Sequence, residues 1–98
     1  MSDDLELEWD DVKAQSNLAK HGVPFSYAAR AFLDADGVDF DVSRSGDREA
    51  RRKAVGMIEG RLFIVVYTLR DGRRRLISAR RCNAGEERIY GSLDARPE

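Results

Sequence analysis

The chain has 98 residues, enough for one domain and too few for two, and 42% of them are hydrophobic and 36% charged. No apolar run approaches the roughly 20 residues of a membrane span, and the acidic start Met1-Ser2-Asp3-Asp4 has the wrong sign for a secretory signal peptide. A single cysteine, Cys82, excludes an internal disulfide and supplies no metal-ligand set, which points to a reducing cytoplasm and to a protein without metal or cofactor.

In chain order, Leu5-Glu6-Leu7-Glu8-Trp9 alternates apolar and polar residues, the period of a half-buried strand. Asp10 is a good N-cap, with Trp9 as the apolar half of a staple, and a helix follows from about Asp11 to Lys20. It stops at His21-Gly22, where Lys20 and His21 complement the helix C-terminus and Gly22 supplies a left-handed cap. A second helix starts near Pro24, with Phe25, Ala28, Ala29, Phe32 and Leu33 as its apolar stripe. Val38 to Val42 alternates again as a strand, and Ser43 to Glu49 is a polar loop. Arg52 to Ile58, Arg61 to Arg70 and Arg73 to Arg81 form three strands joined by Glu59-Gly60 and Asp71-Gly72, two-residue hairpin turns. The middle strand, Leu62 to Tyr67, is apolar at successive positions, so both of its faces are covered. A last helix starts at Asn83, with Glu86 as capping-box partner, and presents Ile89, Tyr90 and Leu93.

The net charge of −1 conceals an asymmetry, because residues 1–49 carry twelve acidic and five basic side chains while residues 50–98 carry six acidic and twelve basic. The basic half is a candidate surface for a polyanion; the alternative is that the halves neutralise one another on folding. Two-residue turns fix register, which pairs Val66 with Ile77, Ile64 with Ala79 and Tyr67 with Leu76 across one hairpin. Across the other it pairs Ile64 with Val55, Leu62 with Met57 and Tyr67 with Arg52. One sheet face then holds Val55, Met57, Leu62, Ile64, Val66, Ile77 and Ala79, the expected core beneath the helices, and takes Arg75 and Arg81 with it. The other holds Arg52, Ala54, Phe63, Val65, Tyr67, Arg74, Leu76, Ser78 and Arg80. Arginines around an aromatic on a partly open sheet suit RNA, holding phosphates while rings stack on bases; a solubilising surface is the plain alternative.

No glycine-rich phosphate loop, zinc spacing or serine-nucleophile elbow is present. Metal-free RNA cleavage stays open, since the substrate's own 2′-hydroxyl is the nucleophile and the protein need supply only a base, cations and an acid. His21 can serve as acid or base, or as a plain helix-terminal cation. Glu49 is the carboxylate immediately upstream of the basic strand, or a solvated loop residue. Arg80-Arg81 is the best phosphate fork, and the Tyr67 hydroxyl can reach a phosphate.

These residues fall within an ordered pattern: Trp9-Asp10, Lys13, Asn17, Lys20-His21-Gly22-Val23, Phe25, Ala28-Ala29, Phe32, Glu49-x-Arg51, Gly56, Gly60-Arg61-Leu62, Val65-Val66-Tyr67-Thr68, Ile77-Ser78-Ala79-Arg80-Arg81, Glu86-Glu87-Arg88 and Tyr90. In this pattern, spanning about residues 5 to 91, the chain resembles the BrnT family of toxins from bacterial type II toxin–antitoxin systems. Pro24, Gly85 and Cys82 depart from it. The resemblance implies a RelE-like α+β fold, an antiparallel meander packed against N-terminal helices with a C-terminal helix, as a single domain over residues 1–98. It implies a cytoplasmic, metal-independent endoribonuclease that arrests translation. It also implies a ribbon-helix-helix antitoxin that masks the toxin in a heterotetramer and that alone contacts operator DNA. On this reading Lys20, His21, Glu49, Arg80 and Arg81 are the expected catalytic set, and Arg51, Arg52, Tyr67 and Arg74 the expected RNA contacts. The alternative is a non-catalytic module that binds RNA or antitoxin and acts in operon regulation.

Overall fold

A computed structural model describes residues 6–91; the expected strand residue Leu5 and helix residue Leu93 lie outside the described residues. The elements are β1 (Glu6–Glu8), α1 (Asp11–His21), α2 (Phe25–Ala28), a 3-10 helix (Ala29–Leu33), β2 (Val38–Asp41), β3 (Arg51–Ile58), β4 (Arg61–Arg70), β5 (Arg73–Arg81) and α3 (Ala84–Gly91). Together they make a mixed α+β fold around one five-stranded sheet in the order β1-β5-β4-β3-β2. The doubly apolar β4 takes the centre.

Local chemistry sets the element ends. The Asp10 side chain accepts from the Val12 N–H at 2.8 Å, and the Gly22 N–H, at φ 70°, donates to the Leu18 carbonyl, closing α1 at both ends. Trp9 meets the Phe25 ring edge-on at 5.8 Å, tying the entry of α1 to α2. At the hairpins Glu59 and Gly60 have φ 52° and 83°, and Asp71 and Gly72 have 51° and 76°, the paired positive values a type I′ turn needs. Asn83 and Glu86 exchange two bonds, Asn83 N–H to Glu86 Oε1 at 2.9 Å and Glu86 N–H to Asn83 Oδ1 at 2.8 Å, so α3 opens with the expected capping box.

Four expectations need correction. First, the sheet is not a purely antiparallel meander, because β1 pairs with β5 in parallel, Glu6 opposite Arg73 and Glu8 opposite Arg75. Alternation in β1 says nothing of its partner; ion pairs of Glu6 with Arg73 (2.8 Å) and of Glu8 with Arg75 (3.1 Å) secure the pairing. Second, the helix expected from Pro24 is four α-helical residues followed by a 3-10 turn. Phe25, Ala28 and Ala31 are its buried residues, spaced by three, and Leu33 is left 78% exposed outside the stripe. The cause lies at Gly56, whose Cα faces the Ala31 backbone so closely that the turn packs on β3 by main chain instead of side chains.

Third, the β4–β5 ladder contains a bulge. The pairs from Arg70–Arg73 to Tyr67–Leu76 follow the turn as expected, but Val66 then faces Ser78, Val65 faces Ala79, Ile64 faces Arg80 and Phe63 faces Arg81. Ile77 is the extra residue, so the expected pairs Val66–Ile77 and Ile64–Ala79 do not form. Every β5 side chain beyond it changes face. Arg80 therefore lies opposite Arg52, Tyr67 and Arg74, not beside them, and Arg81 crosses to their face. The β3–β4 hairpin keeps the register read from the sequence.

Fourth, the faces are exchanged. The helices cover Phe63, Val65, Leu76 and Ala79, which join Val23, Phe25, Ala28, Ala31 and Ile58 in the larger core. α1 and α2 lie against β5, and the 3-10 turn against β3 and β4. The expected core face carries a smaller cluster, Val55, Leu62, Ile64 and Cys82, flanked by Val38, Phe40, Met57, Val66 and Tyr90 of α3. With β4 apolar on both faces, alternation had no means to choose which one the helices take.

Candidate functional site

Arginine placement decides the electrostatics. Most strand arginines are neutralised inside the fold. Arg52 donates to Asp39 at 2.6 Å, Arg70 to Glu49 at 2.8 Å, Arg73 to Glu6 at 2.8 Å and Arg75 to Glu8 at 3.1 Å. Arg80 grips Glu86 with both Nη atoms, at 2.7 and 2.6 Å. Arg51 lies 4.0 Å from Asp47. The two oppositely charged halves of the sequence thus largely satisfy one another. The pairing also moves proton affinities: hydrogen bonds from Arg80 and from the Asn83 N–H hold the Glu86 carboxyl at about 2, and the Arg70 hydrogen bond lowers that of Glu49.

The expected catalytic residues consequently fall in three places. Glu49 sits with Arg70, at the end of β4 where β5 begins. Arg81 pairs with Phe63, seven residues back along β4, a separation of roughly 23 Å at strand rise. Arg80 lies on the α3 face, occupied by Glu86. Lys20 and His21 end α1 and are exposed, as is Arg81. Lys20 and His21 stand at the C-terminal end of α1, and Arg81 points to the same, helix-covered side of the sheet. The buried Asn17 amide donates to the Val23 and Ala79 carbonyls (3.0 and 2.8 Å) and accepts from the Ala79 N–H (3.0 Å). It thereby fastens the His21-Gly22-Val23 turn onto β5, and Arg81 stands two residues further on the same face, roughly 7 Å along the strand.

At this edge of β5 a groove of about 200 Å³ is lined by Lys13, Ser16, Asn17, Lys20, His21, Ile77 and Ser78. Lys13, Lys20, His21 and Arg81 have no carboxylate partner among the described residues. Such a concavity can hold a phosphate among cationic donors, with an imidazole beside it as a proton-transfer group. Ser16, and Lys13 and Ser78 of the family pattern, were not among the expected site residues. Lys13, Ser16 and Lys20, spaced at i, i+3 and i+7, carried a helical signal for a shared face; Ile77 and Ser78 line the groove at the bulge.

The expected RNA contacts Arg52, Tyr67 and Arg74 do assemble, around Asp39. The Tyr67 hydroxyl donates to Asp39, and burial with this bond raises its proton affinity. The Arg74 guanidinium stacks 4.4 Å from the Phe32 ring centre and 5.9 Å from that of Tyr67. Arg51 is on the opposite face, beside Thr68. Among the described residues no group of three or more His, Cys, Asp or Glu side chains is placed to hold a metal ion, and no helix is long and apolar enough to cross a membrane.

Fold and site together define a small α+β protein with an uncompensated cationic groove at the edge of its sheet, suited to an anionic ligand. Residues 9–86 match the family described as ribonuclease toxin, BrnT, of type II toxin–antitoxin systems, and the chain belongs to that family. A comparison with curated proteins finds no match.

Proposed function

We propose that the chain is a metal-independent endoribonuclease that arrests translation in the cytoplasm and works at the α1 groove. The observation that carries this reading is the groove lined by Lys13, Lys20 and His21, which, like Arg81 further along β5, have no carboxylate partner among the described residues, while the other strand arginines are mostly neutralised by the fold. In the reaction His21 accepts the proton of a substrate 2′-hydroxyl. The 2′-oxygen then bonds to the adjacent phosphorus, the P–O5′ bond breaks, and O5′ leaves with a proton from Lys20. The products are a 2′,3′-cyclic phosphate and a 5′-hydroxyl. Lys13 and Arg81 stabilise the charge that builds on the phosphoryl oxygens. Arg74, stacked on Phe32, provides a contact for a base further along the strand, while the buried Tyr67 acts structurally through Asp39. Glu49 and Arg80 act structurally, through Arg70 and Glu86.

The family implies an antitoxin. The finer reading is a ribbon-helix-helix antitoxin forming a heterotetramer with a RelE-like toxin and mediating every contact with operator DNA.

The test is cleavage of an oligoribonucleotide in EDTA. Wild type is expected to cut and leave cyclic phosphate ends, and His21→Ala to lose about 100-fold or more in kcat. Glu49→Ala and Arg80→Ala, if folded, should stay within about threefold of wild type. Wild-type rates in His21→Ala would remove the groove from the chemistry. A second reading, a non-catalytic binder of RNA or antitoxin, draws on the groove's lining, which has one histidine and no carboxylate. Tight RNA binding without any cleaved ends would establish it.

A further inference from the structure

We infer that Asn17 is a positioning residue for this groove: its side-chain amide sets where His21 and Arg81 stand relative to each other. The inference rests on the reading of the groove as the reactive site.

Three observations converge. Asn17 is 6% exposed and is one of only two buried polar residues among those described, the other being Thr68. Its three hydrogen bonds all go to backbone, and two of them join segments 62 residues apart in sequence. Both oxygen and nitrogen of the amide engage one residue of β5, through the N–H and carbonyl of Ala79, as a neighbouring strand would. β1 cannot do this, because its pairing with β5 ends at Glu8–Arg75. A side chain of α1 thus stands in for the missing edge strand at the residue where the groove begins.

The second half of the device is the bulge. Without the extra residue Ile77, Ala79 and Arg81 would point to the α3 face, away from His21. With it, Ala79 is buried under the helices at 1% exposure, and the Arg81 side chain shares their side. Asn17 holds this arrangement from above. Its third bond, to the Val23 carbonyl, fixes the turn that begins at His21. The same side chain therefore locates the imidazole and the strand bearing the guanidinium, without itself bearing a charge or transferring a proton.

A residue of this kind acts on kcat more than on KM, since the exposed lysines still attract RNA while the reacting groups lose alignment. The full chain would be tested as Asn17→Ala, with Asn17→Ser as a milder variant that keeps a hydroxyl at the site. Melting is followed by circular dichroism and rates are measured at least ~15 °C below each midpoint, so that both proteins are folded. For Asn17→Ala kcat is expected to fall by on the order of 10- to 100-fold, with KM within about threefold and Asn17→Ser intermediate. Because His21 is the only histidine, its ring proton is a unique NMR signal. In the wild type that signal should move on adding an oligonucleotide bearing a 2′-deoxy sugar at the cleavage site, and in Asn17→Ala the movement should be reduced by at least about half at equal saturation. Unchanged kcat and an unchanged His21 response in folded Asn17→Ala and Asn17→Ser would overturn the inference while leaving the groove intact. Wild-type kcat in His21→Ala would overturn the groove itself, and the positioning role with it.

Discussion

Gly56 faces the main chain of the 3-10 turn, and its replacement by alanine tests how the helical layer is seated on the sheet. A Cβ there would stand 2.2 Å from the Ala31 carbonyl oxygen, 3.0 Å from its carbon and 3.1 Å from its Cα. These are backbone atoms, so no rotamer change relieves them, and the turn must retreat from β3 by about 1 Å. Overpacking of this kind costs about 1–3 kcal/mol, and a main-chain obstacle puts Gly56→Ala at the upper end, about 3 kcal/mol. In a domain of this size that lowers the melting midpoint by roughly 12–24 °C. Gly85→Ala is the internal control. Its Cβ would meet only Asn83 Oδ1 at 3.5 Å and Arg88 Nη2 at 3.8 Å, ordinary contacts, inside α3. Alanine there is expected to stabilise the protein by about 0.5 kcal/mol through helix propensity. Urea unfolding followed by circular dichroism measures both. A Gly56→Ala protein within about 0.5 kcal/mol of wild type would refute the close-approach argument.

Glu86, held at about 2 against its ordinary 4.5, binds fewer protons folded than unfolded, so its contribution is complete above about pH 4.5 and is lost as pH falls toward 2. The shift corresponds to roughly 3 kcal/mol before screening and, for a side chain one-fifth exposed, about 1–2 kcal/mol after it; Glu86→Gln should flatten acid unfolding between these pH values. Tyr67→Phe removes a bond from a buried hydroxyl to Asp39 and should cost about 1 kcal/mol, measurable by urea titration. Burial raises the Cys82 thiol to about 11, so about one molecule in a thousand carries a thiolate at pH 8. Alkylation should therefore proceed only as fast as unfolding; rapid labelling of the folded protein would contradict its burial.

Much of this architecture is local and was therefore legible. The Asp10 cap, the Gly22 stop, both hairpin turns and the Asn83–Glu86 box depend on a few adjacent residues. The bounds of β4 and β5 follow from the turns that flank them. The class of the protein was legible as well, in the ordered pattern from Trp9 to Tyr90 that the family match over residues 9–86 bears out.

What remained hidden depends on contacts between distant segments. The bulge at Ile77 has no signature, since Leu76-Ile77-Ser78 contains neither glycine nor proline. It forms where it buries Ala79 beneath the helices and presents its peptide to Asn17. The arginines read as a surface from composition alone, because their partners Glu6, Glu8, Asp39 and Glu86 come from other strands, loops and helices. Sequence determined the caps and turns that bound α1, β4 and β5 and open α3, and which half of the chain is basic. Tertiary structure alone decided which cations stay unpaired, because that turns on a one-residue shift in register and on which carboxylates folding brings within reach.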